Sequence, residues 1–138
     1  MGFLKIRRIF RGEKQSQMQM NRQEVGKLGE KLAQKFLKKK GYHIRETNFH
    51  CREGEIDIIA RQKDCLVFVE VRTKSNLNFG TPEESITPAK KEKLIASALT
   101  YINTHQKPPS SWRIDVVAVE VDQSGKTKRI ELIENAIS

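Results

Sequence analysis

Cysteine is scarce in this chain, long apolar runs are missing and acidic residues are outnumbered by basic ones, and each of these narrows the class of protein. Two cysteines in 138 residues, Cys51 and Cys65, make neither a disulfide framework nor a metal-ligand spacing. Cys65 opens an apolar run, which predicts a buried free thiol. No internal repeat or low-complexity stretch is present. No apolar run approaches the ~20 residues that span a bilayer. The N-terminal MGFLKIRRIFRGEK lacks the roughly 7–15-residue apolar core of a signal peptide, so a cytoplasmic protein is expected. Asp and Glu number 17 against 26 Lys and Arg, a formal charge of +9. Basic excess of this size favours nucleic acid or an acidic membrane surface as partner. The length suits one domain with one core.

What is present is concentrated between Gly54 and Lys74, GEIDIIARQKDCLVFVEVRTK. This reads as two β-strands joined by a short turn, at about 55–61 and 65–73. Asp57 interrupts Ile56, Ile58 and Ile59, and Glu70 interrupts Phe68, Val69 and Val71. A carboxylate inside an apolar strand is costly unless a cation, a metal ion or a proton compensates it. Neighbouring strands lie about 4.8 Å apart, so side chains from both can share one divalent cation.

Around this pair the chain divides into a basic arm, residues 1–20, and a domain, residues 21–138. In the arm, Lys5, Arg7, Arg8, Arg11 and Lys14 against Glu13 give +4. With its apolar residues on one side, the arm reads as a nucleic-acid or membrane-surface segment or as a frayed terminus. From Asn21, helical spacing of Val25, Leu28, Leu32, Phe36 and Leu37 predicts a first helix, with Gly41 as its stop. Gly26, Gly29 and Ala33 fall on the flank of that stripe, and Glu30 at the edge of the buried face. A first strand is expected over Tyr42–His50. Thr87 reads as an N-cap and Pro88 as the first residue of a second helix. Its expected apolar stripe is Leu94, Ile95, Ala98, Leu99 and Ile102. Strands at Trp112–Val121 and Arg129–Glu134 flank a hairpin turn at Gln123–Lys126. The predicted order is α-β-β-β-α-β-β.

Gly29-Glu30, Gly54-Glu55-Ile56-Asp57, Phe68-Val69-Glu70-Val71 and Arg113-Ile114-Asp115 together resemble the YraN family of small bacterial proteins. That family is placed in the restriction-endonuclease-like (PD-(D/E)xK) superfamily, beside archaeal Holliday-junction resolvases. The resemblance spans about residues 22–136 and implies an α/β fold, a mixed β-sheet flanked by helices. It also implies a nuclease of DNA, including branched DNA, that depends on Mg²⁺ or Mn²⁺; resolvases of this fold work as dimers, which leaves monomer and homodimer both open for this chain. Asp57 and Glu70 match the superfamily's acids, and Glu30 matches the helix glutamate that helps hold metal. Arg72 stands where the superfamily has lysine.

On this reading Asp57 and Glu70 are metal ligands, with Glu30 joining through water and Glu55 a lesser candidate. Strand parity puts Glu70, Arg72 and Lys74 on one face. Arginine cannot act as a general base near neutral pH, but it can position water or stabilise charge on a phosphate. Lys90, Lys91 and Lys93 occupy the first turns of the second helix, where the macrodipole disfavours cations. An approaching phosphate would explain Lys90 and Lys91 there; simple solvation would as well. The competing reading of the acids is structural, with Glu70 paired to Arg72 and Asp57 near Arg113. A third reading is an interaction domain whose basic arm docks on an acidic partner. His43, His50 and His105 show no ligand spacing. Trp112, Phe79 and Tyr101 are expected in core or loop packing.

Overall fold

The computed structural model describes residues 19–76, 78, 80–105, 107 and 110–137. The arm, apart from Gln19 and Met20, and Phe79 therefore lie outside the described residues. The first helix, α1, spans Arg22–Lys39. Asn21 caps it: its side chain accepts the Glu24 N–H at 2.8 Å while Glu24 accepts the Asn21 N–H at 3.0 Å, a reciprocal capping box. The strands are β1 (His43–Cys51), β2 (Gly54–Gln62) and β3 (Cys65–Lys74). A 3₁₀ turn at Glu83–Ser85 precedes α2 (Pro88–Asn103). At its start the Thr87 hydroxyl accepts the Lys90 N–H, and Pro88 occupies the first turn, where its missing N–H costs nothing. Strands β4 (Ser111–Val121) and β5 (Thr127–Ile137) complete the chain. The observed order, α-β-β-β-α-β-β, is the expected one.

The five strands form one mixed sheet in the order β1-β2-β3-β4-β5. Only β3 and β4 run parallel; α2 makes the crossover between them that a parallel pair needs. Each helix covers one face. Val67 and Val69 of β3 point to α1 with Val25, Ala33 and Leu37. Leu66 and Phe68 point to α2 with Leu94, Ala98 and Tyr101. The result is a three-layer α/β/α domain. Among the described residues no helix is long and apolar enough to cross a membrane.

The buried lines of both helices differ from the expected stripes. In α1 the fully covered positions are Val25, Gly29, Ala33 and Leu37, while Leu28, Leu32 and Phe36 are half-buried. The small residues are the centre of the contact, not its flank. A Cβ on Gly29 would overlap the Thr73 side chain of β3. In α2, Ser97 and Tyr101 are buried and Leu99 is 43% exposed. Ser97 fits because Gly54, at the β1–β2 turn, lies directly against it. Trp112 is 37% exposed and meets Phe68 edge to face. Cys65 is half-buried, with its thiol 3.9 Å from the Arg113 guanidinium.

Candidate active site

The regular ladder fails at Asp57. Pairing of β2 with β3 runs only from Gln62↔Cys65 to Ile58↔Val69, so the strands fork one residue before the acids would pair. Across β2, Asn48 of β1 adopts φ 54°, a left-handed conformation that asparagine tolerates better than most residues. The pleat changes phase at the same point. Ile58 packs with the α1 layer, whereas Ile56, two residues away, packs with the α2 layer. The Val71 N–H, released from the ladder, donates instead to Asp57 Oδ2 at 2.8 Å.

Glu70 is 2% exposed at the base of this fork. Its Oε2 accepts from Arg72 Nη1 at 3.2 Å and lies 3.7 Å from Lys90 Nζ. Arg72 is held further by Ser85: Nε donates to Oγ at 3.0 Å and Nη2 to the carbonyl at 3.1 Å. The Ser85 turn is anchored in its turn by Arg129, which bridges Glu83, Glu120 and Glu131. No local signal in the sequence marked Ser85, Glu83 or Arg129, because each acts across long separations.

Asp57 and Glu70 meet at the fork and each acts on the other's protonation. Burial first, then the Asp57 charge, push the Glu70 carboxyl up to about 8, against the pull of Lys90 and Arg72. Burial also raises Asp57, with the Val71 N–H opposing. Glu30 is raised by burial and by the charges of Asp57 and Glu55, so α1 brings it within electrostatic reach of the pair. Among the described residues, however, no three His, Cys, Asp or Glu side chains are gathered into a metal-holding group. Glu55 is exposed and pairs with His50 at 3.2 Å.

These residues line a cleft of about 700 Å³, bounded by Met20, Arg22, Glu30, Thr73, Lys74 and Lys90 among others. Lys74 is at the rim, its charge bearing on Glu84. Lys91 is exposed and is not part of the cleft wall. Of the structural pairs considered from sequence, Glu70–Arg72 forms, but Arg113 engages Asp115 through both carboxylate oxygens, at 2.9 and 3.2 Å. The comparison separates two aspartates, Asp115 buried and Asp57 half-buried. Asp115 takes the freed Asn135 N–H at 2.9 Å and has its own arginine. Asp57 likewise takes a freed N–H, but its neighbour is a second carboxyl.

A fork in a five-stranded mixed sheet, with buried Glu70 and half-buried Asp57 at its base and cations on the rim, defines an α/β domain with a carboxylate-floored cleft. Residues 29–119 match the Uncharacterised protein family UPF0102. A UPF0102 protein of Dehalococcoides mccartyi is 49% identical over 87% of this chain and 98% of its own length. Relatives from Caldicellulosiruptor saccharolyticus and Pelotomaculum thermopropionicum, also UPF0102 proteins, are 42% and 43% identical. They cover 85% and 83% of the chain, and 99% and 96% of their own lengths. The chain belongs to the UPF0102 (YraN) family.

Proposed function

We propose that this protein is a metal-dependent nuclease that hydrolyses phosphodiester bonds in DNA, branched DNA included, within the cleft at the strand fork. The observation that carries the reading is the Asp57–Glu70 pair, a half-buried and a buried carboxyl that meet at the fork and are hard to ionise together. A hard, oxygen-preferring divalent cation relieves that repulsion, and the donor set suits it. Asp57 and Glu70 would hold Mg²⁺ or Mn²⁺, with Glu30 contributing through water. When bound, such an ion supplies Lewis acidity and a more acidic water. The chain's own part is to bury Glu70 and hold it with Arg72, to fix Asp57 through the Val71 N–H, and to bring Lys74 and Lys90 to the mouth where a phosphate would enter.

The test is cleavage of labelled linear, single-stranded and four-way-junction DNA in Mg²⁺, Mn²⁺ or EDTA, with Asp57→Asn and Glu70→Gln run beside the wild type. Metal-dependent cutting lost in both variants is expected. The alternative is a DNA-binding module of the same fold without cleavage, favoured by the arginine at position 72. Salt-sensitive binding with no cutting under any metal would establish it, and absence of salt-sensitive binding would leave an interaction domain.

A further inference from the structure

Two cations meet one oxygen of Glu70, and they are held very differently. Arg72 is tied by three hydrogen bonds, two to Ser85 and one to Glu70. The turn that carries Ser85 is fastened to β4 and β5 through Arg129. To reach a phosphate, Arg72 would have to give up its whole set of partners. Its geometry is that of a group that orients Glu70.

Lys90 reaches the same oxygen from another element, the first turn of α2. Its backbone is fixed by the Thr87 cap, while its side chain lines the cleft and is 28% exposed. At 3.7 Å from Glu70 Oε2 its ammonium sits at ion-pair distance, beyond ordinary hydrogen-bond length. A four-carbon stem lets it swing toward an incoming group. A cation in the first turn of a helix opposes the macrodipole, so helix stability gives no reason for it to be there.

We propose that Lys90, delivered from α2, is the lysine of this site. Its ammonium contacts the scissile phosphate and the attacking water, in place of the strand position that Arg72 fills. This rests on the nuclease reading. In the step concerned, the water oxygen bonds to phosphorus as the bond to the leaving oxygen breaks. The water gives up a proton to solvent, and the leaving oxygen takes one from solvent. Lys90 contributes positive charge where the phosphate oxygens gain negative charge. Until substrate arrives, the same ammonium lies 3.7 Å from Glu70 Oε2, where its charge opposes a divalent ion.

The experiment uses the full chain as wild type, Lys90→Ala, Lys90→Met, Lys90→Arg and Asp57→Asn. Mn²⁺ affinity is measured by calorimetry, DNA affinity in Ca²⁺ by anisotropy, and single-turnover cleavage in Mg²⁺. Lys90→Ala and Lys90→Met are expected to slow cleavage by about 100-fold or more. Removal of a nearby positive charge should tighten Mn²⁺ binding roughly threefold. Lys90→Arg, which keeps the charge, should recover part of the rate, whereas Asp57→Asn should lose metal and cleavage together. If the neutral Lys90 variants cut within about threefold of wild type, well short of the expected loss, while Asp57→Asn is dead, the Lys90 assignment falls and the nuclease reading stands. Loss of Mn²⁺ binding in those variants also overturns it, since Lys90 would then support the acids and not act on the phosphate. A wild type that cuts nothing overturns the nuclease reading and this assignment with it.

Discussion

Glu70 has two cations at one oxygen and still holds its proton up to about pH 8, because burial and the neighbouring Asp57 outweigh them. The sign of the stability consequence follows. A carboxyl raised in the folded state binds more protons there than in the unfolded chain. Its contribution is therefore fully present below its ordinary value of 4.5 and is lost as pH rises toward about 8. Glu70→Gln should match wild type in thermal melts near pH 4 and exceed it at pH 8 by roughly 5 °C. Mn²⁺ should raise the wild-type melting temperature at pH 8 and leave that of the variant almost unchanged. A constant offset between the two proteins at every pH would disprove the account. Both acids were legible in the sequence because a charged residue in an apolar strand demands a compensating partner. Ser85 and Arg129 were not, since their roles depend on a turn folding back onto β3 and on strand pairing that no local pattern encodes. Lys90 was legible as a cation misplaced on its helix, but not as a neighbour of Glu70.

At the scale of elements, Gly29 sets how closely α1 approaches β3, where a Cβ would overlap the Thr73 side chain. Gly29→Ala should cost about 1–3 kcal/mol, the range for overpacking a tight contact. Thr73→Gly in the same chain should return part of the loss, as denaturant midpoints would show. If Gly29→Ala melts like wild type, the close approach does not control stability. Alternation and helical period correctly gave the helices and strands of the described residues and, Leu99 apart, residues of both helix faces, but not the centre of each face. Hydrophobicity points to leucine and phenylalanine, whereas the contact is made where side chains are smallest, at Gly29, Ala33 and Ser97. The fork at Asp57 was invisible for a related reason: one residue of broken alternation looks like noise in a strand pattern. Strand ends also supply a contrast. Arg113 and Asp115 lie toward the N-terminal end of β4, away from the cleft at the C-terminal end of β3. Arg113→Met leaves Asp115 fully buried without its cation. It should cost about 3 kcal/mol or more while leaving Mn²⁺ affinity at wild-type strength. Calorimetry on the refolded variant separates this structural pair from the functional one.

Over the whole molecule, charge is divided between a domain with an acidic cleft floor and a basic N-terminal segment. Residues 1–18 carry +4 of the total +9, and the chain enters the domain at Met20 and Arg22, both on the cleft wall. The Met20 N–H donates to the Gln123 carbonyl, which fixes that entry point beside the β4–β5 turn. A basic segment starting at the mouth of the cleft would add phosphate contacts next to those of Lys74 and Lys90. Each neutralised phosphate contributes about 0.9 to the slope of log affinity against log salt on duplex DNA. Deleting residues 1–18 should therefore reduce the slope by about 3, and weaken binding most at low salt. Single-turnover cleavage at saturating protein should hardly change, because the acids and Lys90 stay in place. Anisotropy titrations across a salt series, on the full and shortened chains, read both quantities. An unchanged slope would mean that the segment makes no phosphate contacts and that the cleft's own cations account for binding. A reduced slope together with a lost single-turnover rate would place the segment in the chemistry itself.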